Sequence, residues 1–217
     1  MIKATIFDFD GVILESAGIK TKAFERLFAG DYPDKAEEIL AYHIRNAGIS
    51  RYVKFDYIYE HILKQPLMPE EKEELGKKFS DIVFDEILHT PFVAGAVELL
   101  EGSRNDLLFF IASGTPEEEL HRILSLRRIA HLFREAHGSP KKKHEIILDI
   151  MHRYALQKEE VVFVGDAESD MKASEQAGVA FIARMTAENL EQIQHCRWKI
   201  PDLSALETVL HDIGRLR

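Results

Sequence analysis

The first sixteen residues constrain the fold of this chain more than any other stretch. The apolar, β-branched segment from Ile2 to Phe7 predicts a buried strand, and two carboxylates follow it directly, Asp8 and Asp10, ahead of Gly11. Residues i and i+2 of a strand share a face, so both carboxylates address one small volume. Because ligands of open α/β sheets bind at the carboxyl ends of the strands, this pattern predicts a ligand site there.

The closeness of the two carboxylates also limits their chemistry. Both stay ionised only beside a cation, and otherwise one of them holds a proton. The pair therefore indicates metal binding, acid–base chemistry or both. The alternative is a turn with solvated aspartates, since Asp and Gly are common in turns, but the wholly apolar strand before the pair favours the functional interpretation.

Composition excludes several classes of protein. The chain has 217 residues, enough for one large domain or two modest ones, and its single cysteine, Cys196, rules out an internal disulfide framework. A formal net charge of -9 argues against general binding to nucleic acid or to an anionic membrane. No apolar run approaches the roughly 20 residues of a membrane span, and Met1 leads into the strand without a signal-peptide pattern. We expect a cytoplasmic protein.

Hydrophobic periodicity divides the chain into a part with helical patterns alone and a part in which helices and strands alternate. Residues 16–88 predict helices without strands: Ala17–Phe28, Pro33–Asn46, Arg51–Leu63 and Pro69–Leu88. From Pro91 onward the pattern alternates, with helices at Ala96–Glu101, Pro116–Leu124, Lys142–Tyr154 and Glu168–Ala177, and strands at Leu107–Ala112, Glu135–His137, Val161–Val164 and Val179–Ala183. Such alternation predicts a Rossmann-like α/β fold, a parallel sheet covered on both faces. We therefore expect an α/β core formed by residues 1–15 and 89–217, with residues 16–88 inserted as a helical domain.

Two later strands also end in residues that carry chemistry. The strand Leu107–Ala112 leads into Ser113-Gly114-Thr115-Pro116, whose hydroxyl, open glycine N–H and following helix suit a phosphate cradle, although Ser and Thr also cap helices. The strand Val161–Val164 leads to Asp166 and Asp170, which a helix beginning between them could turn to one side. Their alternative is helix capping. Mg²⁺ prefers such oxygen ligands and usually takes one or two carboxylates, which suits Asp8 and Asp166.

A lysine cluster precedes one of the predicted helices. Lys141, Lys142 and Lys143 follow Gly138-Ser139-Pro140, at the end of the strand Glu135–His137. An ammonium group is a compact charge suited to a phosphoryl group, whereas three lysines in a row are often a solvated loop. The cluster alone leaves both interpretations open.

Taken together, these four motifs follow the order of a known family. The segment Asp8-Phe9-Asp10-Gly11-Val12 resembles the first motif of the haloacid dehalogenase (HAD) superfamily, and the other three occur at successive strand ends in the superfamily's order. The resemblance covers essentially the whole chain, with residues 16–88 similar to its α-helical cap domain. Haloacid dehalogenases themselves usually lack the second aspartate, so Asp10 makes the chain similar to the phosphoryl-transfer branch.

The resemblance implies a role for each matching residue. Asp8 would form an aspartyl-phosphate, and Asp10 would protonate the leaving alcohol and then deprotonate water. Ser113 and the Gly114 N–H would hold the phosphoryl oxygens. The pattern Lys-x-Glu-aliphatic-aliphatic favours Lys143 as the motif-three lysine, with Lys141 the alternative from counting back from Asp166. The implied cofactor is Mg²⁺, held by Asp8, Asp166 and the Asp10 carbonyl, while Asp170 would contact the groups around the ion rather than the ion itself.

Polar residues cluster where two helices of the insert meet. The residues His43, Asn46, Ser50, Arg51 and Lys54 surround Gly48, where side chains could reach over the site. Arg51 is the preferred contact for a phosphate or carboxylate, because its guanidinium binds such groups through two bonds. The alternative is an ordinary polar helical hairpin.

The resemblance implies a Mg²⁺-dependent phosphatase acting on a small phosphorylated metabolite, such as a sugar phosphate, as a monomer or homodimer. A sugar-phosphate mutase is the alternative, although related β-phosphoglucomutases carry a histidine where this chain has Lys20. A non-catalytic binding protein on the same fold is a third reading, which the complete set of acids disfavours.

Overall fold

A computed structural model describes residues 1–102, 107–186 and 189–215, and its core is an α/β sheet. Within this part of the chain, six strands pair side by side in the order β3-β2-β1-β4-β5-β6, and every pair is parallel. The strands are β1 (Ala4–Phe7), β2 (Leu108–Pro116), β3 (Glu135–Ser139), β4 (Val161–Gly165), β5 (Ala180–Arg184) and β6 (Trp198–Ile200). The prediction of a Rossmann-like parallel sheet is confirmed.

Helices cover the sheet and build the inserted block. The insert contains α1 (Ala17–Ala29), α2 (Ala36–Arg45), α3 (Arg51–Tyr57) and α4 (Pro69–His89). The helices that follow are α5 (Ala96–Gly102), α6 (Glu117–Leu126), α7 (Lys143–Arg153), α8 (Glu168–Ala177), α9 (Leu190–Ile193) and α10 (Leu206–Arg215). None of the described helices is both long and apolar enough to cross a membrane.

Alternation along the central strands explains how the sheet is covered. Ile6 of β1 faces the same side as Phe163 of β4, and both pack in a cluster with Ile146 and Ile150 of α7. Phe7 points to the other side, where it meets Phe109 with ring centroids 5.6 Å apart. All four residues of β1 are buried, as the unbroken apolar run predicts for a central parallel strand.

Aromatic side chains form the interior of the helical insert. Phe24 of α1 lies at its centre, with ring centroids 5.8 Å from Phe55 and 5.1 Å from Phe79. These residues are almost fully buried, and they join α1, α3 and α4. The apolar spacing at Ala23, Phe24 and Phe28 therefore packs one helix against its neighbours in the insert, as predicted.

Several predicted boundaries differ from the structure. The strand predicted to end at Ala112 continues to Pro116, and the helix predicted from Pro33 begins with a 3₁₀ turn, Pro33–Lys35. The helix predicted from Arg51 to Leu63 changes at Ile58 into one turn of π-helix, and Ser50, expected to cap it, makes no capping bond with its side chain. The strand β6 and the helices α9 and α10 were not predicted from the sequence. For β6 the reason is its length of only three residues, one of which is an exposed lysine.

Candidate active site

The register of the sheet brings the first and fourth motifs together. Phe7 of β1 pairs with Val164 of β4, and the Asp8 N–H donates to the Val164 carbonyl at 2.9 Å. Asp8 and Asp166 therefore leave adjacent strands at the same edge. Asp170, in the first turn of α8, accepts a hydrogen bond from the Ala167 N–H at 3.1 Å. Carboxylate oxygens of Asp8, Asp166 and Asp170 all lie within 4.8 Å of one another.

Lys143 lies against this acidic group. It is the first residue of α7, and its Nζ is 3.0 Å from Asp8 Oδ2 and 2.6 Å from Asp170 Oδ1. Burial opposes the charged form of Lys143, but Asp170 and Asp8 outweigh it and raise the pKa, so the side chain stays protonated. Lys141 instead pairs with Asp149 at 2.8 Å, on the outside of the same helix. Of the two lysines left open by the sequence, the structure brings Lys143 to Asp8.

The electrostatics of the acidic group fit a divalent cation. Burial raises the pKa of Asp8, which is only 2% exposed, and although Lys143 opposes this, Asp170 and Asp10 add to it. Burial and the charge of Asp8 likewise raise the pKa of Asp166 well above its usual range. One ammonium does not balance three carboxylates, two of which, Asp8 and Asp170, are buried. Because hard divalent cations take oxygen ligands of this kind, these residues could hold such an ion.

The side chain of Asp10 is held apart from this acidic group. Its Oδ2 accepts from Lys20 Nζ at 2.5 Å and from Thr115 Oγ1 at 2.9 Å, and its Oδ1 accepts from Ser16 Oγ at 2.7 Å. Burial would raise the pKa of Asp10, but the Lys20 charge and these hydrogen bonds hold it below its usual range. The metal role implied for Asp10 involves only its carbonyl, so the carboxylate is left to Lys20.

No site role was predicted for Lys20, Ser16 or Thr115, although Thr115 lies in the phosphate-cradle segment and Lys20 stands where related β-phosphoglucomutases carry a histidine. Ser16 precedes α1, and Lys20 lies one turn further on, so both extend from the helix toward the end of β1. Lys20 Nζ also donates to Thr115 Oγ1 at 2.7 Å, across 95 residues of chain. The four-residue spacing of Ser16 and Lys20 was the available signal, and it was too common to be informative.

The helical insert closes directly over the phosphate-cradle segment. A side chain at Gly114 would place its Cβ 2.5 Å from the Gly48 carbonyl oxygen, and one at Gly48 would place its Cβ 2.3 Å from Ser169 Oγ. Ser169 donates to the Ala47 carbonyl at 2.8 Å. Ser113 lies buried beside them and accepts a hydrogen bond from the Thr115 N–H at 3.1 Å. Glycine is required at 48 and 114 because two backbone segments meet here.

A cavity of about 520 Å³ lies between the insert and the strand ends. The carboxylates Asp8, Asp10 and Asp166 line it on the sheet side, and the insert lines it with Phe24, Phe79, His43, Arg51 and Lys54. Its volume falls within the range of about 300–1,000 Å³ typical of small-ligand sites. Mostly apolar walls with a few convergent polar groups suit a small organic ligand that carries charge.

The residues predicted around Gly48 have different environments. Lys54 and His43 are buried together, with Lys54 Nζ 3.2 Å from His43 Nδ1. Arg51 also lines the cavity, but its guanidinium pairs with Glu119 of α6 at 2.6 Å. Asn46 does not line the cavity, because its amide donates back to the Tyr42 carbonyl at 2.9 Å. The structure therefore brings three of the five residues predicted around Gly48 to the cavity, and neither Asn46 nor Ser50 lines it.

A further clamp holds the backbone of the first and fourth motifs. Arg184, the last residue of β5, pairs with Glu15 at 2.5 Å and donates to the Gly11 carbonyl at 3.3 Å. Asn189 Nδ2 donates to the Asp166 carbonyl at 2.8 Å. The sequence analysis did not identify this clamp. Its partners are 169 and 23 residues apart in the sequence, so no local pattern reports them.

The fold and this arrangement agree with comparisons with known proteins. A model of the family described as "Haloacid dehalogenase-like hydrolase" matches residues 5–184, and the chain belongs to that family. The predicted family and the prediction of a hydrolase are confirmed.

Individual proteins of known name share about a quarter of their residues with this chain or fewer. The phosphoglycolate phosphatase of Aliivibrio fischeri is 24% identical over 82% of this chain and 81% of its own length. The phosphorylated carbohydrates phosphatase of Thermotoga maritima is 25% identical over 82% of both chains. Among solved structures, β-phosphoglucomutase from Clostridium difficile superposes with a TM-score of 0.77 at 21% identity, covering 100% of this chain and 99% of its own. At this identity the last likeness concerns the fold.

Proposed function

We propose that the protein is a Mg²⁺-dependent phosphatase that hydrolyses a small phosphomonoester through an aspartyl-phosphate. The observation that carries the proposal is the position of Asp8, at the end of the central strand, 3.0 Å from Lys143 and within the acidic group of Asp166 and Asp170. A carboxylate attacks phosphorus only when its own charge and that of the phosphoryl group are offset. Lys143 supplies one positive charge there.

The first step transfers the phosphoryl group to the enzyme. An oxygen of Asp8 bonds to phosphorus as the bond to the ester oxygen breaks, and Asp10 gives that leaving oxygen its proton. The Ser113 hydroxyl and the Gly114 N–H donate to the phosphoryl oxygens, and Lys143 offsets their charge. Bound Mg²⁺, held by Asp8, Asp166 and the Asp10 carbonyl, would offset charge and align the reacting oxygens.

The second step returns the enzyme to its starting state. Asp10, now a carboxylate, takes a proton from a water molecule whose oxygen bonds to phosphorus. The bond to Asp8 breaks, and inorganic phosphate leaves. The Lys20 ammonium stabilises the carboxylate of Asp10, which favours the form that this step requires and opposes the protonated form from which the first step starts.

The helical insert, residues 16–88, acts in this proposal as a cap domain over a core of residues 1–15 and 89–217. The close approach of Gly48 to Gly114 and the 2% exposure of Asp8 support this role, because a cap limits the access of solvent to the nucleophile. His43, Arg51 and Lys54 line the cavity from the cap side. The named relatives act on phosphoglycolate and phosphorylated carbohydrates, which supports a small phosphorylated metabolite as substrate. A cytoplasmic location remains part of this proposal.

The test is phosphate release from a panel of phosphorylated metabolites. Asp8→Asn should abolish turnover without unfolding the protein, and excess chelator should silence the wild type until Mg²⁺ is restored. Ca²⁺ should restore activity poorly, because its looser coordination misplaces the phosphoryl group. Asp34→Asn, at an exposed position of the cap, is the matched control and should keep full activity. Substantial turnover by Asp8→Asn, or full activity with excess chelator, would refute the mechanism.

A sugar-phosphate mutase is the second candidate. The closed contact between Gly48 and Gly114 favours it, because a shielded aspartyl-phosphate survives long enough to pass its phosphoryl group to a sugar hydroxyl. Bisphosphate-dependent isomerisation of a sugar phosphate would identify this activity. Release of inorganic phosphate without isomerisation would support the phosphatase and argue against the mutase.

A further inference from the structure

Lys54 differs from the other buried or half-buried cations near the cavity. Lys20 pairs with Asp10, Arg51 with Glu119, and Lys143 with Asp8 and Asp170. Lys54 is only 2% exposed and lines the cavity, and within the described residues its ammonium has no carboxylate partner. A buried charge without a counter-charge is costly, so its environment is incomplete without a ligand.

The immediate surroundings of Lys54 leave a donor free. Its Nζ lies 3.2 Å from His43 Nδ1 and 3.4 Å from the His43 carbonyl oxygen, two acceptors for three ammonium hydrogens. The Phe24 ring lies on another side, with its centroid 5.3 Å away. The third hydrogen has no partner in the described part of the chain, and the adjoining space is the cavity.

The charged groups that shift the pKa of Lys54 are both positive. Burial and, to a smaller extent, the charges of the Lys20 and Lys143 ammonium groups together lower the pKa of Lys54 to about 7. His43 is neutral near pH 7, because burial and the charges of Lys54 and Lys20 lower its pKa to about 2. An anion placed beside Lys54 would favour the ammonium form, so binding would draw a proton from solvent onto Lys54.

We propose that Lys54 binds a second anionic group of the substrate, so that the preferred substrates are small phosphomonoesters with a carboxylate or another phosphate at the far end. This inference rests on the proposed phosphatase function and specifies its substrate class. Arg51, the residue favoured from the sequence, already has a carboxylate partner, since Glu119 and Ser80 accept its hydrogen bonds at 2.6 and 2.8 Å.

The experiment compares esters that differ only in the distal group. The carboxylate pair is 3-phosphoglycerate and glycerol 3-phosphate, and the phosphate pair is propane-1,3-diyl bisphosphate and 3-hydroxypropyl phosphate. Hydrogen bonds to charged groups contribute about 1.5–3 kcal/mol, so the wild type should prefer one anionic ester by about 10- to 100-fold in kcat/KM. The pair that shows the preference identifies the distal group as carboxylate or phosphate.

The Lys54→Met variant tests whether that preference depends on the ammonium group. It should reduce the preference to about threefold or less by lowering kcat/KM for the anionic ester more than for the neutral one, an expectation based on losing one charge-assisted bond. Lys22→Met is the matched control, because Lys22 lines the same cavity but is exposed, and it should keep the preference. Equal rates for both esters in the wild type, or a preference that survives Lys54→Met, would overturn the proposal.

A second measurement does not depend on how the variant folds. In the wild type, KM for the anionic ester should rise as the pH increases above about 7, while KM for its neutral partner stays level; parallel profiles would count against Lys54. If the wild type hydrolyses no phosphomonoester, the phosphatase proposal fails, and a binding measurement then tests the role of Lys54. Titration calorimetry of Asp8→Asn with 3-phosphoglycerate at pH 8, in buffers of different ionisation enthalpy, should then show proton uptake, and its absence would refute the inference.

Discussion

The pair of Arg51 and Glu119 forms a latch between the helical insert and the core. Arg51 begins α3, Glu119 lies in the first turn of α6, and Ser80 of α4 completes the contact by donating to Glu119 Oε2 at 2.6 Å. The Arg51 guanidinium also lies 4.4 Å from the centre of the Phe79 ring. The side chains of Arg51 and Glu119 are 4% and 11% exposed, so water does little to screen the pair.

Glu119→Gln removes the negative charge and leaves the shape of the side chain. Loss of one partner from a buried pair costs about 3–5 kcal/mol, because the other charge stays buried without compensation. The amide oxygen of glutamine still accepts one bond from Arg51, which favours the lower end, about 3 kcal/mol. Each kcal/mol lowers Tm by about 2–4 °C for a chain of this size, so Tm should fall by roughly 6–12 °C.

The assay is thermal and urea unfolding of the wild type, Glu119→Gln, and Glu119→Gln combined with Arg51→Met. The double variant has no charge left at this contact, and its free energy of unfolding should return to within about 1 kcal/mol of wild type. Glu86→Gln is the matched control, because Glu86 pairs with Arg26 in the same insert but the two side chains are 45% and 61% exposed. Such an exposed pair contributes about 0–1 kcal/mol.

Two outcomes would refute the reasoning about the latch. The first is a loss below about 1 kcal/mol in Glu119→Gln, which would place the pair with surface ion pairs. The second is additive losses in the double variant, because additivity would mean that Arg51 and Glu119 do not stabilise the protein through each other.

Three further predictions concern single side chains. Lys20→Met removes the strongest of the contacts that oppose the effect of burial on Asp10 and so raises its pKa; rapid-quench experiments near pH 7 should therefore show aspartyl-phosphate accumulating as proton removal from water slows. Lys54→Met should raise the free energy of unfolding near pH 7, because it removes a buried lysine whose pKa is about 7 in the folded protein and about 10.5 in the unfolded chain. Between these two values the unfolded chain binds more protons, so wild-type stability should rise with pH across that window. Urea unfolding at several pH values should show this increase in the wild type and not in the variant. Gly11→Ala should abolish activity and lower Tm, because the added Cβ would lie 2.0 Å from Asp166 Oδ2 at a φ of +76°, and a fully active variant would contradict this.

Local sequence determined the sheet and the residues at its edge. Hydrophobic runs marked β1, β2 and β4, and parallel topology then required Asp8, Ser113 and Asp166 to emerge at one edge. The helical spacing of residues 16–88 likewise predicted the helices that the structure has there. These features were predictable because the information lies within a few residues along the chain. The short β6 and the C-terminal helix α10 were missed, although α10 buries Leu206, Leu210 and Ile213 at helical spacing.

Tertiary structure decided which charged groups meet. The sequence left Lys141 and Lys143 as alternatives, and only the packing of α7 beside β1 brought Lys143 to Asp8. It also directed Arg51 to Glu119, 68 residues away, and left Lys54 without an acid among the described residues. Long charged side chains on helices have many possible partners at similar cost. Their choice depends on distances of a few ångströms between elements distant in sequence, which no local pattern encodes.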